Sequence, residues 1–132
     1  HETFEDVKNE FEEFVKNASA LDEWLRENPP EITWNLHWPP YDTPEGHPIC
    51  STIAQSHQKA AVGTRFEGPA IYRGFYAVDD ATFLNANGIP SVTYGPGHIH
   101  QAHMVDEFVN IDEVIASTKA YALAAMDWCG VS

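Results

Sequence analysis

The first forty residues carry two patterns of apolar residues, one after the other. Apolar side chains first recur at helical spacing: Phe4, Val7, Phe11 and Val15. Thr3 is placed to cap this helix, and Pro29–Pro30 ends any continuation of it. Residues 31–38 then alternate between apolar and polar, with one side formed by Ile32, Trp34, Leu36 and Trp38. The two patterns predict a helix followed by a half-buried strand.

The rest of the chain alternates between helical and strand-like stretches. It begins with a proline-rich break at residues 39–48, which is interpreted as a surface loop or a linker. Helices are predicted over 49–62 and from Asp79 or Asp80 to Gly88, and strands over 70–72 and 91–94. This alternation predicts an α/β layered unit.

The last helix is the best marked element of the sequence. Asn110 is placed to cap it, Glu113 follows at capping-box spacing, and Gly130 closes it. Its predicted packing face consists of Ile111, Val114, Ile115, Thr118, Ala122, Ala125 and Met126. The pattern therefore predicts a long amphipathic helix at the end of the unit.

Composition and charge narrow the class of protein. The 132 residues are 43% hydrophobic and carry a net charge of −13, so we expect a folded domain rather than a disordered chain. The negative charge argues against binding to nucleic acid or to an anionic membrane. No apolar run approaches the roughly 20 residues that span a bilayer, and no signal peptide is expected. With only two cysteines, the sequence predicts a cytoplasmic protein.

The densest group of potential metal ligands follows the turn at residues 95–97. They are His98, His100, His103, Asp106 and Glu107. Open α/β sheets bind ligands beyond the carboxyl ends of their strands, and imidazole is a common zinc ligand. The alternative is a histidine-rich surface loop that holds no metal.

Acidic and basic residues before this loop form a second candidate. Asp79 and Asp80 stand together at a predicted helix start, where carboxylates usually serve as caps. Arg65 and Arg73 could each bind a substrate carboxylate or form a surface ion pair. The pattern does not decide between these roles.

Three stretches resemble a known enzyme family. Residues 88–97 read GIPSVTYGPG, residues 102–109 read AHMVDEFV, and residues 111–114 read IDEV. They resemble the C-terminal end of the zinc metallopeptidase and deacylase family that includes acetylornithine deacetylase, succinyl-diaminopimelate desuccinylase and the aminoacylases. The segment 80–84 resembles that family's helix-start motif, and residues 2–7 and 28–31 resemble its inserted lid, or dimerisation, domain.

The resemblance implies roles for three residues. His103 matches the last metal ligand of a two-zinc centre, and Glu107 matches the acidic residue that follows it and supports the site. Asp80 matches the aspartate near the substrate pocket. The sequence departs from the motif at Asp79, where threonine is common, and at Thr82, where arginine is common. The second departure leaves open which end of a substrate is held there.

Several parts of the family's site have no counterpart in these 132 residues. The missing parts are a His-x-Asp motif, a bridging Asp, a Glu-Glu pair that contains the general base, and a further acidic ligand. We therefore expect no catalytic residue in this chain and no activity from it alone. It is interpreted as part of a longer enzyme or as one of two chains that complete the site. His98 and His100 are not family ligands, and the role of His1 stays open.

The resemblance also implies an architecture and a reaction. Residues 1–40 would end an α+β lid domain, and residues 41–132 would form the C-terminal part of an α/β catalytic domain with a zinc-peptidase-like sheet. The whole enzyme would be a homodimer that hydrolyses the amide bond of an N-acyl amino acid or small peptide. It would use two zinc ions, with cobalt or manganese as alternatives.

Two other functions stay open at this point. A non-catalytic binding module could add the tryptophan-bearing strand to the edge of a partner's sheet. A small metal-binding protein could use His98, His100 and His103.

Overall fold

A computed structural model describes residues 2–131, which contain five α-helices. They are α1 (Phe4–Ser19), α2 (Glu23–Glu27), α3 (Pro48–Ala60), α4 (Ala81–Ala86) and α5 (Ile111–Cys129). A short 3₁₀ helix covers Ile99–Gln101. The chain divides into two compact units, residues 1–39 and 40–132. His1, whose role the sequence leaves open, lies outside the described residues.

The first unit consists of α1, α2 and an extended segment that returns along α1. A capping box at Thr3 and Asp6 starts α1, as the sequence predicts for Thr3. The rings of Phe4 and Phe11 each meet the Trp34 indole edge-to-face at 5.7 Å. The indole Nε1–H also donates to Glu12 Oε1 at 2.7 Å. The tryptophan-bearing segment is therefore held by side chains of α1.

The second unit is built on the packing of α3 against α5. The buried residues of these helices and of the turn after α3 are small: Cys50, Thr52, Ser56, Ala60, Ala61, Ala116, Ser117 and Ala120. Small side chains let two helix backbones approach closely, so this interface excludes water without large apolar groups. The predicted packing face of α5 is wrong, because all seven of its residues are exposed: Ile111, Val114, Ile115, Thr118, Ala122, Ala125 and Met126.

The predicted α/β class is wrong, because no strand or sheet occurs within residues 2–131. The expected strands at 31–38, 70–72 and 91–94 are irregular segments. Among the backbone hydrogen bonds of the described residues, none joins these three segments to one another. An alternating or apolar pattern fixes only where side chains point, whereas a strand also needs a paired neighbour for its N–H and C=O groups. The catalytic sheet and the α+β lid inferred from the resemblance are therefore not seen.

None of the helices within residues 2–131 combines the length and the apolar character needed to cross a bilayer.

Candidate functional site

The turn at residues 94–97 is held by side chains of α5. The Tyr121 hydroxyl donates to the Tyr94 carbonyl oxygen at the start of the turn. At its end, the Gly97 N–H donates to Glu113 Oε2 at 2.6 Å. Gly97 has a φ of +88°, a conformation that favours glycine. Two α5 side chains thus fix the two ends of the segment that leads into the histidine-rich loop.

The Tyr94 side chain lies between α3 and α5. Its hydroxyl is 2.9 Å from His57 Nδ1, and its ring meets that of Tyr121 edge-to-face at 5.6 Å. Burial raises the pKa of the Tyr94 phenol, a hydrogen bond with Ser117 acts in the opposite direction, and the neighbouring Tyr121 raises it further. Tyr94 therefore remains neutral in a polar cluster that joins the turn to both helices.

His103 lies in the loop that follows this turn, with its side chain exposed. It has a φ of +64° and is the only described residue other than glycine with a positive φ. Its backbone N–H donates to Glu107 Oε2 at 3.1 Å. Such a left-handed conformation persists only when its surroundings hold it, and Glu107 supplies one of those contacts.

The other two histidines of the loop pair with each other rather than with His103. The rings of His98 and His100 stack at 4.8 Å, and the His100 N–H donates to His98 Nδ1 at 3.2 Å. Within residues 2–131 no group of three or more His, Cys, Asp or Glu side chains is arranged to hold a metal ion. The described part of the chain thus supplies individual histidine side chains but no assembled metal centre.

Asp79 makes the side-chain contacts at the start of α4. Asp79 Oδ1 accepts from the Ala81 N–H at 3.0 Å. Its Oδ2 accepts from the hydroxyls of Tyr41, at 3.3 Å, and of Thr93. Asp80 is exposed and makes no side-chain capping bond. Asp80 is therefore free to face solvent or a ligand, whereas Asp79 joins three segments of the unit.

Sequence reasoning missed the contacts of Asp79 and Glu113. An aspartate two residues before a helical N–H is a known turn signal, so the Asp79 bond to Ala81 could have been found. The bonds from Tyr41 and Thr93 come from residues 38 and 14 positions away. Glu113 has capping-box spacing from Asn110, yet its carboxylate reaches Gly97. None of these long-range partners can be recognised from a local pattern in the sequence.

Comparison with known proteins decides the family. A sequence profile described as peptidase family M20/M25/M40 matches residues 9–127. The chain belongs to this family. The identification of a metallopeptidase and deacylase family from residues 80–114 is thereby confirmed.

Two bacterial relatives carry the same name within the M20 family. The chain is 35% identical over 138 residues to the N-formyl-4-amino-5-aminomethyl-2-methylpyrimidine deformylase of Bacillus subtilis. It is 29% identical over 133 residues to the deformylase of that name from Halalkalibacterium halodurans. Each alignment covers 98% of this chain and 31% of the relative, so the chain spans about a third of their length. No solved structure matches the chain.

Membership of the M20 family leaves the individual residue roles untested. His103 as a metal ligand, Glu107 as its support and Asp80 at the substrate remain predictions. The structure adds one contact relevant to them, the bond between Glu107 and the backbone of His103.

Proposed function

We propose that this chain is part of a metal-dependent amidohydrolase that removes the acyl group from an N-acylated small molecule. The observation that carries the proposal is the family match over residues 9–127, together with relatives named as deformylases. In the proposed reaction, water adds to the amide carbonyl and the C–N bond breaks. The products are a carboxylic acid, formic acid in the case of a formamide, and a free amine.

A formamide of an uncharged heterocycle is the favoured substrate. The substrate in the name of both relatives is an aminomethylpyrimidine, which carries no carboxylate. Thr82, which stands where arginine is common in the family's motif, is buried and uncharged at neutral pH. A site that lacks a cation at this position fits a substrate without a carboxylate better than it fits an N-acyl amino acid.

A metal centre would need ligands from beyond this segment. A catalytic zinc ion takes about three protein ligands, and the described residues bring no three candidates together. We propose that His103 supplies one imidazole to such a centre. Glu107 would hold the backbone of His103 in its left-handed conformation, and the exposed Asp80 would contact the substrate. A bound zinc or similar ion would polarise the amide carbonyl and activate water. This chain alone would be inactive.

The test uses the full-length protein that contains these residues. Formate release is measured from N-formyl aminomethylpyrimidine and acetate release from an N-acetyl amino acid, and bound metal is measured by emission spectroscopy. The variants are His103→Ala and, as a matched control from the same exposed loop, His100→Ala. His103→Ala should lower kcat at least about 100-fold and reduce bound metal, because it removes a ligand outright. His100→Ala should leave both unchanged.

Other outcomes would support the rival functions. Tight zinc binding that survives His103→Ala but is lost with His98→Ala or His100→Ala would indicate a separate histidine-rich metal site. A wild-type protein that hydrolyses neither substrate class under metal-replete conditions would contradict the amidohydrolase proposal and favour a binding module.

A further inference from the structure

Two side chains on one stripe of α5 bond the turn at residues 94–97. Glu113 and Tyr121 are eight residues apart, with the buried Ser117 midway between them, so all three lie on the same side of the helix. The Tyr121 hydroxyl donates to the Tyr94 carbonyl oxygen, and Glu113 accepts from the Gly97 N–H. The helix therefore holds both ends of this turn.

The Glu113 contact is the more specific of the two. A carboxylate that accepts from a backbone N–H at 2.6 Å forms a charge-assisted hydrogen bond, which is stronger than a neutral one. The other carboxylate oxygen lies 3.5 Å from Arg65 Nη2, and the Glu113 side chain is 25% exposed. Arg65 thus favours a single orientation of a carboxylate that is largely shielded from water.

Displacement of Gly97 would be transmitted towards His103 because the intervening loop is tightly turned. Backbone bonds run from the Gln101 N–H to His98 O at 2.8 Å and from the Ala102 N–H to Ile99 O at 3.0 Å. A further bond runs from the Met104 N–H to Gln101 O at 3.1 Å. Consecutive turns of this kind leave the loop little freedom to absorb a shift at its start.

We infer that Glu113 is a positioning residue for the reaction proposed above. Its carboxylate fixes the turn at residues 94–97 and, through it, the loop that carries His103. The expected effect on turnover rests on the proposed function, whereas the effect of Glu113 on the turn does not depend on it. Misplacement of a reacting group by about 1 Å can lower a rate about 100-fold, so a side chain remote from the chemistry can control it. The local sequence assigns Glu113 only a capping role.

The test compares three variants in the full-length protein. Glu113→Asp keeps the charge but shortens the side chain by one methylene, whereas Glu113→Gln keeps the length and an acceptor oxygen. Asp112→Asn is the matched control, because Asp112 is acidic, lies in the same first turn of α5 and is exposed. Amide hydrogen exchange is followed across residues 94–103, and kcat and KM are measured for N-formyl aminomethylpyrimidine.

Glu113→Asp should speed exchange at Gly97 at least about tenfold and lower kcat about 10–100-fold, with little change in KM. Glu113→Gln should have a smaller effect than Glu113→Asp in both readouts, because its amide oxygen still reaches Gly97 although the hydrogen bond loses its charge assistance. Asp112→Asn should resemble wild type. Equal exchange at Gly97 in Glu113→Asp and Asp112→Asn would overturn the inference. Faster exchange with unchanged kcat would also overturn it, since the turn would then be irrelevant to turnover.

Failure of the proposed function has a different signature. If wild-type protein releases no formate, the exchange measurements still decide whether Glu113 fixes the turn. Faster exchange in Glu113→Asp would then show that Glu113 fixes the turn, and the absence of formate release would exclude a role for it in this hydrolysis.

Discussion

Enlarging Ala120 tests the observed packing of α3 against α5. Ala120 has 0% of its surface exposed, and the other buried residues of the α3–α5 unit are also small, with Cys50 at 1% and Ala61 at 0%. Leucine at this position adds three carbon atoms to a side chain that has no solvent-accessible surface. Ala122 provides a matched control, because it belongs to the same helix but is exposed. The hydrophobic pattern of the sequence instead placed Ala122 on the packing face.

The expected loss of stability follows from the difference in burial between Ala120 and Ala122. Overpacking a close-packed interface costs about 1–3 kcal/mol, so Ala120→Leu should lower the free energy of unfolding by about 2 kcal/mol. Ala122→Leu should stay within about 0.5 kcal/mol of wild type, since both residues are good helix formers. The assay is urea unfolding of the 132-residue chain, followed by circular dichroism. With a slope of about 1–2 kcal/mol per molar urea, the Ala120→Leu midpoint should fall by about 1–2 M.

Two results would refute this reasoning. Equal midpoints for Ala120→Leu and Ala122→Leu would mean that Ala120 does not lie in a close-packed interface. A larger loss for Ala122→Leu would mean that the face predicted from the sequence is the one that packs.

Two further predictions concern the candidate site. Glu107→Ala should weaken metal binding by the full-length protein about 10–100-fold, measured by zinc titration, because groups that orient a ligand typically contribute that much; unchanged affinity would remove Glu107 from the site. Burial raises the folded-state pKa of Tyr94 above its ordinary value of 10.0, so the unfolded chain loses this proton first as the pH rises. The associated stability is complete below about pH 10 and is lost as the pH rises through the raised value. Tyr94→Phe should therefore flatten the decline in urea midpoint between about pH 9.5 and 11; an unchanged slope would contradict the burial of the phenol.

Local signals in the sequence were sufficient to locate α1, α3, α4 and α5. Thr3 starts α1, Asn110 accepts from the Asp112 N–H at 2.8 Å at the start of α5, and Gly130 follows its end with a φ of +68°. Each signal acts over three or four residues and depends only on the chain near it. Such elements can be predicted without knowledge of the tertiary structure.

The strands and the packing face of α5 were predicted wrongly because both depend on partners distant in sequence. Residues 91–94 have the composition of a buried strand, but their contacts are to side chains: Tyr94 to α5, Thr93 to Asp79 and the Ser91 carbonyl to Thr43. On α5, the large apolar residues outweigh alanine and serine in a hydrophobic pattern. The observed interface with α3 selects those small residues, because close helix approach needs small side chains rather than apolar ones.

The proline-rich break at residues 39–48 also has partners distant in sequence, and these lie in the candidate site. Its composition favours a loop or a linker, yet two of its side chains make hydrogen bonds. The Tyr41 hydroxyl bonds the side chains of Asp79 and Thr93, and the Thr43 hydroxyl donates to the Ser91 carbonyl oxygen at 2.6 Å. These bonds tie the break to the start of α4 and to the segment before the Gly95–Gly97 turn. Asp79 is occupied by this role, which leaves Asp80 as the carboxylate at the start of α4 that is free for a ligand. The resemblance predicts that Asp80 contacts the substrate, and this prediction requires the exposed side chain that Asp80 has.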